Sequence, residues 1–194
     1  MGKLKNEIQN LMLREDFSLN LDRLNDYPQK KLINVLISLL YTSDKLVKER
    51  TVLALGYVVS NITDRDLEYA RTVMRRLMLS LTEESGGIGW GAPEAMGEIM
   101  ARNENLADEF WCILISYIRP DGNFLEHEIL QRGALWGVGR LAYARPQLLK
   151  TSVDYLHPYM QTGDPYLRGL AAWAAGALQN KNTAAILDQL KDDS

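Results

Sequence analysis

Glu49-Arg-Thr-Val-Leu-Ala-Leu-Gly56-Tyr-Val58 is the first of four matching blocks in this chain. The others are Trp90-Gly-Ala-Pro-Glu-Ala-Met-Gly97-Glu-Ile99, Arg132-Gly-Ala-Leu-Trp-Gly-Val-Gly139-Arg-Leu141 and Gly169-Leu-Ala-Ala-Trp-Ala-Ala-Gly176-Ala-Leu178. Their glycines stand 41, 42 and 37 positions apart, the period of stacked helix pairs. Around them, apolar residues recur with helical spacing and no stretch alternates as a strand would. The fold class read from this pattern is all-α, a right-handed α-α superhelix of about four to five helix pairs. One domain is expected over 1–194. A capping region covers 1–27, repeats cover 28–60, 64–103, 105–144 and 146–180, and a C-terminal cap covers 181–194.

Within each pair an outer helix precedes an inner one. The outer helices are expected at 29–41, 64–81, 106–118 and 146–160, and the inner helices at 44–60, 92–102, 126–144 and 165–179. A helix over 3–14 opens the chain and one over 183–191 closes it. Asp164-Pro165 supplies a side-chain cap just before a proline at the first helical position, where the missing N–H costs nothing. Arg145-Pro146 separates two helices, because proline disfavours helical geometry in the residue before it. Two columns of small residues, Thr51, Ala92, Ala134, Ala171 and Ala54, Ala95, Gly137, Ala174, lie three positions apart and so on one face. They predict close approach of neighbouring inner helices.

Composition removes several function classes. Of the 194 residues 46% are hydrophobic and 24% charged, which argues against disorder. A net charge of −3 gives no general attraction to phosphate backbones, so nucleic-acid binding is not expected. Cys112 is the only cysteine, which excludes an intrachain disulfide and fits a reducing cytoplasm. Its setting in an apolar helix predicts a buried, inert thiol. No segment reads as an export signal or a membrane span, and the expected location is cytoplasmic.

The run Asp164-Pro-Tyr-Leu-Arg168-Gly-Leu-Ala171-Ala-Trp-Ala174-Ala-Gly176 resembles the HEAT-repeat pattern of the phycobilin-lyase type. Asp44, Lys48, Thr51, Ala54 and Gly56 follow the pattern more loosely, and the middle two copies keep only its small residues. The runs 84–98 and 119–128 also resemble a HEAT-like family of anaerobic bacteria. The resemblance covers about residues 28–190. It implies the fold and is silent on activity, since such repeats serve lyases, chaperones, glycosylases and adaptors alike.

If the small-residue face packs inward, the opposite stripe of each inner helix lines a concave surface. Stepping by four gives Glu49, Leu53 and Tyr57, then Trp90, Glu94 and Glu98, then Arg132, Trp136 and Arg140, and finally Gly169, Trp173 and Ala177. The candidate ligand-binding residues are Tyr57, Trp90, Glu94, Glu98, Arg132, Trp136, Arg140 and Trp173, with tryptophan supplying area and the charged groups orientation. Glu98 is expected within reach of Arg140. The competing expectation makes Trp136 and Trp173 wedges between helices and Glu98–Arg140 a surface pair. The glycine-rich loop with Gly86, Gly87 and Gly89 either shapes the groove's mouth or offers N–H groups to an anion. His127 and Glu128 are a weak metal candidate, short of the ligand number such a site needs. No cofactor is called for. The favoured function is a non-enzymatic module binding a protein segment or small ligand. The alternative is an enzyme using Glu94 as acid or base between tryptophans, in the manner of a DNA glycosylase, or a bilin-lyase-like chaperone.

Overall fold

The computed structural model describes residues 2–82 and 89–192. Among them are eleven α-helical segments and no strand. Helix α1 spans Gly2–Met12, and two 3₁₀ turns lead to α2, Gln29–Leu39. Then follow α3 (Lys45–Thr63), α4 (Leu67–Ser80), α5 (Ala92–Arg102), α6 (Glu104–Ser116) and α7 (Glu128–Ala144). The last segments are α8 (Pro146–Leu149), α9 (His157–Met160), α10 (Pro165–Leu178) and α11 (Ala184–Gln189). The inner helices α3, α5, α7 and α10 pack on one another more extensively than on their outer partners. The result is an α-α solenoid with a continuous buried apolar cluster running from Ile8 to Leu178.

Local chemistry sets the helix ends. Asp44, Asp66, Asn103 and Asp164 each accept a backbone N–H in the first turn of the helix they precede. Arg168, one turn into α10, donates to the carbonyls of Thr162 and Gly163 and so pins the turn that delivers the Asp164 cap. Arg50 does comparable work at the other end, donating to the carbonyls of Met12 and Arg14 where α1 stops. On the outer layer Arg71 of α4 pairs with Glu68 and with Glu109 of α6, tying two repeats together.

Both small-residue columns are buried as expected. The in-register glycines explain themselves one repeat at a time. A methyl on Gly56 would collide with the Glu98 side chain of the next repeat, one on Gly97 with the Gly137 backbone, and one on Gly139 with the Trp173 ring. Gly176 has nothing within 4 Å, and among the described residues no inner helix packs on it. Gly56, Gly97 and Gly139 are each a socket for the repeat that comes after.

Two expectations fail. The fourth outer helix is not continuous over 146–160: a 3₁₀ stretch, Lys150–Leu156, separates α8 from α9. Pro158 lies inside the expected helix, where its ring clashes with the carbonyl four residues back and it offers no N–H. Cys112 is exposed, not buried. The buried face of α6 runs through Leu106, Ala107, Phe110 and Leu114, and Cys112 lies two residues beyond Phe110 on the opposite side.

Replacing Gly97 with alanine drives a methyl into the Gly137 backbone and is expected to cost about 1–3 kcal/mol. Gly176→Ala meets open space at an exposed position of α10 and is expected to be neutral or to stabilise by up to about 1 kcal/mol. Chemical denaturation of both variants beside the parent checks this; equal losses would remove the socket role.

Candidate functional site

The inner helices enclose an open cavity of about 550 Å³. Helix α3 contributes Lys45, Lys48, Glu49, Val52 and Leu53 to its lining, and α5 contributes Glu94 alone. From α7 come Ile129, Arg132, Gly133 and Trp136, and from α10 Tyr166 and Leu170. Three charged side chains, Lys48, Arg132 and Glu94, are half-buried, while Ile129 and Tyr166 stand exposed at the rim. The groove is therefore apolar in its walls and ionic at a few points, the usual make-up of a ligand site.

Glu94 occupies its floor. A Cβ on Gly133 would strike the Glu94 carboxyl, so glycine there is what lets the acid lie against α7. The carboxyl oxygen Oε2 is sealed from solvent and has no hydrogen-bond partner. Burial pushes the Glu94 carboxyl up to about 7; a hydrogen bond from its own backbone and the charge of Lys48 act the other way. Arg132 donates to Glu128 on its own helix and, at 3.0 Å, to Asp164 at the start of α10. Its guanidinium lies 4.5 Å from the centre of the Tyr166 ring, and its Nε is a second sealed atom without a partner.

Of the residues expected to share the hollow, the structure brings Glu94, Arg132 and Trp136 together, with Glu49 and Leu53 of the same stripes. It does not bring the others there. Trp90 stands before α5 with its ring edge-on to His127, centroids 5.0 Å apart. Trp173 fills the socket at Gly139, 6.4 Å from Trp136 and stacked on Tyr143 at 5.2 Å. Tyr57 accepts a hydrogen bond from Asn25 at 2.8 Å. Glu98 does meet Arg140, at 2.6 Å, but not as a surface pair: it is fully buried over Gly56 and also accepts from Arg102 at 2.5 Å. That triad ties α5 to α7 and packs on α3 at Gly56, and is a staple, not a wall of the groove.

The wedge reading thus holds for Trp173 and not for Trp136. In the fourth copy the lining stripe is Tyr166 and Leu170, three positions before the expected Gly169 and Trp173, because Trp173 is committed to packing. Lys45, Lys48, Val52, Ile129, Gly133, Tyr166 and Leu170 were not anticipated. Steps of three as well as four along each inner helix would have found all but the shift in the last copy.

His127 caps α7, its Nδ1 accepting from the Ile129 N–H at 3.2 Å, and Glu128 is taken by Arg132. Among the described residues no three potential ligands gather as a metal site requires. Gly86 and Gly87 lie outside the described residues. Gly89 is buried against the end of α4, where a Cβ would meet the Ser80 carbonyl at 2.8 Å. Gly91, at φ +76°, takes the left-handed conformation that starts α5. These are structural uses. No described helix is long and apolar enough to cross a membrane.

No protein-family model matches the sequence, and no curated protein does so significantly. Among solved structures, an engineered protein is similar with a TM-score of 0.55 at 15% identity, covering 98% of this chain and 90% of its own. A second engineered protein reaches 0.56 at 15% identity over 91% of this chain and 43% of its own. At such identity these likenesses speak for the fold alone. An archaeal HEAT-like repeats protein from Thermococcus onnurineus NA1 is similar at 16% identity, over 95% of this chain and 76% of its own. Its TM-score of 0.37 is too low to carry any argument.

Because Glu94 is protonated near neutrality only when folded, its linkage to stability has a definite sign. Below the ordinary carboxyl value of 4.5 both states hold the proton; between there and about 7 only the native state does. Native stability attributable to this group therefore falls as pH rises through that window, by up to about 3 kcal/mol. Glu94→Gln removes the effect. Urea titrations are expected to give similar stabilities for parent and variant at pH 4, and a more stable variant at pH 8. Parallel curves at both pH values would refute the buried, unpaired state.

Proposed function

We propose that this chain is a non-catalytic binding module whose ligand, a protein segment or a small molecule, lies along the groove of α3, α5, α7 and α10. The observation that carries the reading is the Glu94 carboxyl in the groove's lining, one oxygen of which, Oε2, has no partner. A buried polar group without a partner costs about 1–3 kcal/mol, an expense that a ligand's donor would relieve. The cavity's volume lies in the range of ligand sites. Trp136 offers a broad face beside the acid, and Ile129 and Tyr166 extend apolar surface past the rim. The exposed, free thiol of Cys112 suits a reducing compartment and so a partner met in the cytoplasm.

One feature favours a second reading. A carboxyl raised to about 7 is matched to general acid–base work, so Glu94 would serve an enzyme as proton donor or acceptor. A glycosylase acting on DNA would also need a cationic groove for phosphates. Here Glu49 stands beside the lysines, and Arg132 is held by two carboxylates. Binding to duplex DNA that weakens with salt would support the enzyme reading over the module.

Selection of a displayed peptide library on the parent protein, with a thermal-shift screen of metabolites in parallel, tests the proposal. Ligands obtained on the parent are expected to lose at least about tenfold affinity on Trp136→Ala and Leu53→Lys. Both variants should keep the parent's circular dichroism and nearly its melting point. Ligands that bind these variants undiminished place the site elsewhere. Unfolding of both variants makes the residues structural and ends the proposal.

A further inference from the structure

We propose that the occupant of the groove is an acidic protein segment, with a carboxylate at Arg140 and apolar side chains on Trp136 and Tyr143. The inference rests on the groove being the ligand site, and concerns the surface that continues from the cavity toward the C-terminal end of α7. Ile129, Trp136 and Tyr143 recur at seven-residue intervals on that helix, with Arg140 between the last two, so all four share one face. Ile129 and Trp136 line the cavity. Tyr143 lies beyond it, 55% exposed, and stacks at 5.2 Å on Trp173, which itself stands 6.4 Å from Trp136. An aromatic shelf thus runs on from the cavity. From Ile129 to Tyr143 the helix rises about 21 Å, the reach of about six residues of extended chain. A metabolite would fill the cavity alone, whereas a protein segment touches both ends. Exposed apolar side chains continuous with a cavity mark a surface that another protein covers.

Charge selects the kind of segment. Glu98 is fully buried and, among the described residues, is the only carboxylate within salt-bridge distance of Arg102 or of Arg140. One negative charge therefore serves two guanidiniums. Each spends its Nε on that acid, at 2.5 and 2.6 Å, and neither guanidinium meets another acceptor among the described residues. The two side chains are 30% and 31% exposed, and the remaining Arg140 donors are not sealed from solvent. Arg145 adds a third cation at the same end of α5, its Nε donating to the Met100 carbonyl at 3.0 Å. A carboxylate on the segment supplies the missing counter-charge and accepts charge-assisted hydrogen bonds from the Arg140 Nη groups. A basic segment would meet this excess positive charge with no exposed acid to receive it. A nucleic-acid backbone would need free cations along its whole length. Toward Ile129 they are not free: Glu49 stands beside Lys45 and Lys48, and Arg132 is held by two carboxylates.

The test is the sequence content of peptides selected on the full chain from an unbiased displayed library at low salt. The expected winners are enriched in Asp or Glu close to Phe, Trp, Tyr or Leu. A winner is then synthesised with blocked ends and titrated by fluorescence anisotropy. Changing its acids to Asn and Gln is expected to weaken binding by at least about tenfold, and added salt to weaken the acidic form more than the neutral one. Tyr143→Ala is expected to cost at least about fivefold. Glu98→Met combined with Arg140→Met removes the guanidinium without stranding the buried acid, and is expected to cost at least about tenfold while circular dichroism stays unchanged. Should that double variant unfold, the neutralised peptide and Tyr143→Ala still decide. Winners without acidic residues, or whose acids are neutralised without loss, overturn the acidic segment; if they still depend on Leu53 and Trp136, the groove remains a ligand site. A selection without winners overturns it as well, and the metabolite screen alone then decides on the groove.

Discussion

Helix α5 meets α7 where neither carries a side chain. A Cβ on Gly97 would overlap the Gly137 backbone, and one on Gly137 would come within 2.6 Å of the Pro93 carbonyl. This backbone-to-backbone crossing brings consecutive inner helices close enough to share one curved surface. Alanine and threonine of the two small columns, all buried, keep the same spacing along the rest of the contact. Widening that approach by a methyl would leave voids that the surrounding side chains only partly fill. The outer helices, Pro158-interrupted or continuous, cover the back of this stack without setting its curvature.

The same sockets decide which polar residues become structure and which become site. Glu98 and Trp173 both point from one repeat into the glycine of the repeat before, and both are consumed there. For Glu98 the consequence is a fully buried carboxylate whose two oxygens are taken by Arg102 and Arg140. Removing one member of such a buried set leaves an uncompensated charge, so the triad enforces the order of the repeats as well as their proximity. Glu94 lies one turn earlier on the same helix and reaches no socket glycine. It lies against Gly133 with one oxygen unpaired and faces the hollow. A single turn of helix separates a satisfied acid from an orphaned one.

Position along the array also matters. At the beginning, Met12, Phe17 and Leu24 are fully covered and Arg50 ties down the end of α1, so the first inner helix is closed off. At the far end α11 buries none of its residues, and the last socket, Gly176, stays open. The groove sits between these ends, where four inner helices converge and each contributes a different chemistry: lysines from α3, an acid from α5, an aromatic and a guanidinium from α7, and apolar surface from α10.

Repetition of the Gly56, Gly97, Gly139 and Gly176 blocks was enough to determine the helix pairs, their order and the inward face of the inner helices. These depend on period and residue size, which a linear chain displays directly. Caps such as Asp164 and breaks such as Arg145-Pro146 were legible for the same reason: their chemistry is local. The break at Pro158, also local, was passed over within an otherwise helical pattern. What the chain alone left open was the fate of side chains that cross between repeats. Trp173 and Trp136 occupy equivalent positions, yet one has a glycine in front of it and packs, while the other has none and lines a cavity. Glu94 and Glu98 differ likewise by what lies opposite. Such outcomes are set by distances between segments some forty residues apart, and only tertiary structure fixes those.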